Sequence, residues 1–276
     1  MIESAVVSHQ GKVRERNEDS VLESSNLGLW LVADGVGGNG GGDVASQLAV
    51  QTVEREMRQG KGLLEAIGVA DQKVCESAAG SPGLENMATT IVACHIESNH
   101  YAISWVGDSR AYFRDASGEL SLLSRDHNYA SEGNGGYSSE GSGNAGQHEL
   151  TQALGHLSLG RLPKVVGDLH HGEMILLCSD GLSGVLEHEQ IAQILNFNDE
   201  LASVAQSFID SVLEAGAPDN VSIALIRYRE EEDVLKASDF NYRSSFDPSK
   251  YLDKSQSRPL FLLLVLLSII IILTVF

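Results

Sequence analysis

Cysteine is scarce in this chain of 276 residues: Cys75, Cys94 and Cys178 lie far apart and form no CxxC pair. A disulfide-stapled scaffold and a thiolate metal cage are therefore excluded. Each cysteine reads as a small buried hydrophobe in a reducing compartment. Positive charge is short as well. Residues 1–228 carry 13 Lys/Arg against 31 Asp/Glu, and the whole chain stands at −19. A body that acidic repels phosphate backbones, which excludes nucleic-acid binding. An anionic substrate would need a local cationic device, most simply bound metal, to offset the field. The opening MIESAVVSHQGK has no basic stretch followed by an apolar one, so no signal peptide is expected there. No internal repeat is visible.

Long apolar runs are also missing, with one exception at the end. From Leu260 to Phe276 the chain reads LFLLLVLLSIIIILTVF, uncharged, with only Ser268 and Thr274 polar. Leu, Ile, Val and Phe each favour insertion, and their sum here is on the order of −5 kcal/mol. Seventeen helical residues reach roughly 26 Å, the short end of what spans a bilayer. Residues 259–276 are expected to be a single-pass membrane anchor. Lys250, Lys254 and Arg258 lie just upstream against one acid, Asp253. By the positive-inside rule they keep the preceding domain in the cytoplasm. Residues 229–258 read as a polar linker, and residues 1–228 as the folded body.

Within that body, apolar runs rich in β-branched and aromatic residues predict strands near 4–8, 28–33, 88–96, 100–107, 110–114, 120–123, 173–178 and 220–228. Helical periodicity marks 43–58, 61–79 and, most clearly, 199–215. Hairpin-like succession in the middle argues for α+β with antiparallel sheet. Residues 131–148, SEGNGGYSSEGSGNAGQH, read as a flexible loop.

Gly35 to Gly40 satisfies G-x-G-x-x-G after a strand and before a helix, the pattern of a dinucleotide site. Asp34 speaks against that use, because its carboxylate would face the pyrophosphate. Asp34 instead has company. EMILLCSDGL ends at Asp180-Gly181, and Asp219 stands immediately before the last strand in GAPDNVSIALI. One strand-end Asp before Gly or Asn is most simply a turn. Three suggest a shared carboxylate cluster, whose self-repulsion divalent cations would relieve. Oxygen donors without Cys or His suit Mg²⁺ or Mn²⁺ better than Zn²⁺.

These segments occur in order with GKVRERNEDS (11–20), VADGVGG (32–38), MATTIVA (87–93), VGDSRAY (106–112), LSRDH (123–127), LTQALG (150–155), LLCSDGLSG (176–184) and APDNVSIALI (217–226). Together they resemble the bacterial form of the metal-dependent type 2C protein phosphatases. The resemblance implies a four-layer αββα sandwich, two antiparallel sheets flanked by helix pairs, here with one C-terminal transmembrane helix added. It implies hydrolysis of phosphoserine and phosphothreonine in proteins by a hydroxide bridging two Mn²⁺ or Mg²⁺ ions, with a third ion in bacterial members. By position, Asp34 matches the bridging ligand, Gly35 offers a backbone carbonyl, and Asp180 and Asp219 match the other direct carboxylates. Asp19, with Glu18 before it, matches the acid holding metal-bound water. Asp126, with Asp180, matches the third-ion site, and Arg14 matches the phosphate-gripping arginine, whose planar fork suits phosphate.

The implied partners are phosphoprotein substrates and a cognate Ser/Thr kinase opposed at the cytoplasmic face of a membrane. The absence of a Cys-x₅-Arg loop agrees with direct hydrolysis. Val36 and Asn39 stand where relatives carry His, so no general acid is assigned, and His127 is expected to be structural. The alternative is a pseudo-phosphatase, a phosphoprotein-binding module with weak or no catalysis.

Overall fold

Strands buried on both faces explain the uninterrupted apolar runs. In the computed structural model, which describes residues 1–37, 41–128, 131, 149–155, 159–197 and 200–230, β3 (Leu29–Ala33) and β11 (Met174–Cys178) are buried throughout. Successive side chains on a strand point to opposite faces. Leu29, Leu31 and Ala33 accordingly pack under helices, while Trp30 and Val32 meet the other sheet. Met174, Leu176 and Cys178 likewise face helices, and Ile175 and Leu177 face the inter-sheet core.

One antiparallel sheet has the order β1 (Ile2–His9), β12 (Val221–Tyr228), β11, β8 (Arg110–Arg114), β9 (Leu120–Leu122). The second runs β10 (Val165–Asp168), β7 (His100–Val106), β6 (Ile91–Glu97), β3, β2 (Ser20–Ser24). A short ribbon joins β4 (Gly35–Val36) to β5 (Ala88–Thr89). Helices α1 (Gly41–Arg58) and α2 (Leu63–Gly80) close one core against the second sheet. Helices α3 (Asp180–Ser183), α4 (His188–Phe197) and α5 (Leu201–Glu214) close another against the first. With the inter-sheet core these make four layers around three apolar cores, as two-faced sheets require.

The differences from the sequence expectations have local causes. The run 88–96 splits at Thr90, whose N–H, with the Thr89 hydroxyl, is drawn to the Asp34 carbonyl, each at 2.8 Å. Cys94 and Cys178 are buried, but Cys75 is exposed. It follows Val74 on α2, and one helical step turns it about 100° off the buried stripe. As expected from the sequence, the start of the Gly-rich stretch is not a dinucleotide loop: Gly35 and Val36 form ladder pairs with Thr89 and Ala88. Residues 38–40, including Asn39, nearly all of the 131–148 loop, the linker after Glu230 and the expected anchor lie outside the described residues. Among the described residues no helix is long and apolar enough to cross a membrane.

Candidate metal centre

Antiparallel pairing collects the strand-end acids at one pole. The end of β11 lies beside the start of β12 through Cys178–Ile223, which brings Asp180 and Asp219 together. Asp34 leaves β3 and Asp19 enters β2 next to the Ser20–Ala33 pair. A cavity of about 700 Å³ opens over this pole. Among its described lining residues, Arg14 is the only cation, against the carboxyl groups of Glu18, Asp34, Asp108, Glu149, Asp180 and Asp219.

Dense surroundings and mutual repulsion hold Glu18, Asp34, Asp108 and Asp180 toward their neutral forms. Burial, then Asp19 and Asp180, raises the Asp34 pKa well above the usual carboxylate range. Burial also raises Asp180, as does Asp219, while its contact with Asp34 acts the other way. Asp19 is pushed up to about 6 by burial, against the lowering effect of the Ser222 and Ser179 hydroxyls. Ser179 Oγ donates to Asp19 Oδ2 at 2.9 Å.

Two buried oxygens at this pole, Asp19 Oδ1 and Asp180 Oδ1, have no hydrogen-bond partner. Unsatisfied buried oxygens are costly, and a cation is the natural complement of unpaired carboxylate oxygens. Glycine at 35 and 42 keeps the approach clear. A Cβ on Gly35 would lie 2.2 Å from the Gly42 carbonyl oxygen. One on Gly42 would lie 2.7 Å from the Gly35 carbonyl oxygen and 2.8 Å from Glu18 Oε2. This all-oxygen donor set fits Mg²⁺ or Mn²⁺. Among the described residues no three acidic, His or Cys side chains are already gathered as a finished cage. Asp219 is engaged by Arg14, its Oδ2 accepting a hydrogen bond from an Arg14 terminal nitrogen at 2.6 Å.

Arg14 and Glu18 sit on a loop fastened to the segment before β12. Buried Asn220 uses its whole amide for this: Oδ1 accepts from Glu18 N at 2.8 Å, and Nδ2 donates to the carbonyls of Gln10 at 2.7 Å and Arg16 at 2.9 Å. Gly11 lets the backbones approach, since at φ +79° a Cβ there would strike the Asp219 carbonyl oxygen at 2.2 Å. Asn220 was not singled out from sequence, and the amide following Asp219 in GAPDN was the available signal.

The two acids at either end of the β8–β9 hairpin divide differently from expectation. Asp126 does not line the cavity. Its carboxylate is held by Arg110 through two hydrogen bonds, Nε to Oδ1 at 3.0 Å and a terminal nitrogen to Oδ2 at 2.8 Å. Asp108, unassigned within VGDSRAY, lines the cavity instead, its pKa pushed up to about 7 by burial, Asp180 and Asp126. His127 serves the framework, accepting from Gly107 N at Nδ1 and stacking on Trp105.

Acids carried to one pole by two sheets thus form an oxygen-only donor set for a divalent cation beside a single arginine. Residues 8–222 match the family model described as protein phosphatase 2C, and the chain belongs to that family. It is 33% identical over 232 residues to the serine/threonine protein phosphatase PstP of Mycobacterium tuberculosis, covering 80% of this chain but 44% of that protein. The chain thus spans under half the length of that relative. It is 30% identical to the serine/threonine phosphatase stp of Listeria monocytogenes, covering 79% of this chain and 92% of that protein. The crystal structure of the mycobacterial phosphatase superposes with a TM-score of 0.73 at 29% identity, covering 83% of this chain and 99% of that one. A second structure, of the PstP catalytic domain in complex with two manganese ions, matches equally well.

Proposed function

We propose that this protein hydrolyses phosphoserine and phosphothreonine in other proteins with Mn²⁺ or Mg²⁺. The observation that carries this reading is the convergence of Asp34, Asp180 and Asp219 at one pole, with buried, unpartnered oxygens on Asp180 and Asp19. Family membership and the manganese-bound PstP catalytic domain support it. Asp34, the Gly35 carbonyl, Asp180 and Asp219 would hold two core ions, with Glu18 and Asp19 outside them. Asp108, in place of the expected Asp126, would join Asp180 in holding a third. Bound divalent ions supply a nucleophile at neutral pH by lowering the pKa of water to about 7, and offset phosphoryl charge.

The chain's own part is positioning. Asn220 and Gly11 fix the loop that carries Arg14, and Arg14 presents a planar donor fork to the substrate phosphate. For that it must exchange Asp219 for phosphate, so cation binding at Asp219 and phosphate binding at Arg14 favour one another.

The same reading places the catalytic body on the cytoplasmic side of a membrane, tethered by residues 259–276 and opposing a Ser/Thr kinase. Its support is the apolar run Leu260–Phe276 with basic residues before it. Metal-dependent release of phosphate from para-nitrophenyl phosphate and from a phosphothreonine peptide tests the activity. Phosphopeptide binding without turnover at saturating Mn²⁺ would establish the pseudo-phosphatase alternative. Detergent-free fractionation of the full chain, compared with a chain ending at Arg258, tests the tether. It fails if the full chain is recovered without detergent.

A further inference from the structure

Glu149 is the one carboxylate among the described lining residues of the cavity that the metal and phosphate roles leave unused. Its segment is anchored on both sides of the cavity wall. Leu150 bridges to Asn128, Thr151 N donates to the His127 carbonyl at 2.9 Å, Leu154 pairs with Thr89, and Gly155 N donates to Asp71 Oδ1 at 2.9 Å. The side chain itself is exposed and makes no hydrogen bond or ion pair among the described residues. It is therefore a solvated carboxylate, next to an anchored segment, on the wall of the cavity where the phosphate is proposed to bind.

Alone, that placement weakens binding, because the carboxylate repels the incoming phosphate dianion. Cations held by Asp34, Asp180 and Asp219 offset those ligands' own charge, whereas Glu149 is not among the ligands. Its compensation has to arrive with the substrate. The cavity, at about 700 Å³, is larger than one phosphorylated side chain needs, which leaves space for residues next to the phosphosite. The body's 31 acids against 13 basic residues steer positively charged segments toward it.

We propose that Glu149 selects phosphosites with lysine or arginine close to the phosphorylated residue, by pairing with that basic side chain. The proposal rests on the phosphatase reading above. A partly solvated ion pair supports a preference of roughly two- to fivefold, weakening as salt screens it.

The test compares kcat/KM for three phosphothreonine peptides that differ only in having Arg, Ala or Glu beside the phosphorylated residue. The wild-type chain, Glu149→Gln and Glu149→Lys are each assayed with Mn²⁺ at low and high salt. The expected result is an Arg-over-Ala preference in the wild type, loss of it in Glu149→Gln, and a shift toward the Glu peptide in Glu149→Lys. An Arg preference that persists unchanged in Glu149→Gln would assign it to the general field and overturn the proposal. Equal turnover of all three peptides by the wild type would overturn it while leaving the phosphatase reading intact. A wild-type chain that hydrolyses neither the peptides nor para-nitrophenyl phosphate would remove both.

Discussion

Replacing Asp34 with Asn separates what the acidic pole costs the fold from what it does for cations. Asp34 is among Asp19, Asp180 and Asp108, and its raised pKa reports how poorly its charge is tolerated there. At pH 8 in chelator, an amide of the same shape removes one charge from that repulsion. At a few ångströms and an effective dielectric between those of protein and water, the relief is on the order of 1–2 kcal/mol. For a body of this size that corresponds to a rise in Tm of roughly 2–8 °C. Saturating Mn²⁺ reverses the order. A ligand at a hundred times its Kd stabilises by about 2.7 kcal/mol, and the wild type takes up that gain in full. The variant, short of the proposed bridging carboxylate, gains much less and loses nearly all phosphatase activity.

Calorimetry with EDTA and with Mn²⁺ reads both signs, and pH supplies an internal control. Asp19 near 6 and Asp108 near 7 have folded-state pKa values above the unfolded carboxylate range. The native state therefore holds more protons than the unfolded one between about pH 4 and 7, and metal-free stability falls as pH rises through that window. The Asp19 shift alone amounts to about 3 kcal/mol. The advantage of Asp34→Asn in EDTA should then be larger at pH 8 than at pH 5, because its raised pKa lets the wild-type carboxyl take up a proton as pH falls. An Asn variant that melts below wild type in EDTA at pH 8, or takes the full Mn²⁺ shift, refutes the assignment of Asp34.

Arg14→Ala should raise KM for a phosphopeptide yet tighten Mn²⁺ binding about two- to fivefold by freeing Asp219, a modest figure because Arg14 is half exposed; titration calorimetry with Mn²⁺ alone checks the second effect, and unchanged or weaker affinity rejects it. Asp126→Asn should cost roughly 3 kcal/mol of stability by leaving the partly buried Arg110 without its carboxylate, whereas Asp108→Asn should leave Tm in EDTA unchanged or higher and raise the Mn²⁺ concentration needed for activity. Equal stability losses in urea titrations of the two would mean that Asp108, like Asp126, is a structural pair member. Asn220→Ala should destabilise by roughly 2–4 kcal/mol, since three backbone groups lose a buried partner; activity that stays normal in the still-folded fraction would show that the loop holds Arg14 without it.

The three strand-end aspartates were legible because each closes or opens an apolar run and is followed by Gly or Asn, a pattern that survives without tertiary information. Asp108 and Asp126 were not separable that way. They stand at the two ends of the β8–β9 hairpin, both follow short apolar stretches, and the pairing of Asp126 with Arg110 is a tertiary contact that no local spacing shows. Asn220 was hidden for a related reason: its three partners lie about two hundred residues upstream, and no local spacing encodes them. Among the elements, β2 and β10 escaped notice as sheet-edge strands of five and four residues with little burial. The central strands, buried on both faces, announced themselves.

The division between layers and pole explains why such a site is affordable at all. Three apolar cores lie between and outside the sheets, and the carboxylates are confined to the ends of β3, β11 and β12 and the entry to β2. Repulsion at the pole therefore does not enter the packing of the layers. It acts instead on the connections, the 10–19 loop, the Gly35 ribbon and the turn before β12, which Asn220, Gly11 and the Thr89–Thr90 pair clamp in place. Those clamps hold Asp19 Oδ1 and Asp180 Oδ1 buried without partners when no cation is bound. Cation binding is on this account worth stability as well as chemistry, and the connections at the pole should be the first to open when metal is withdrawn, ahead of either sheet.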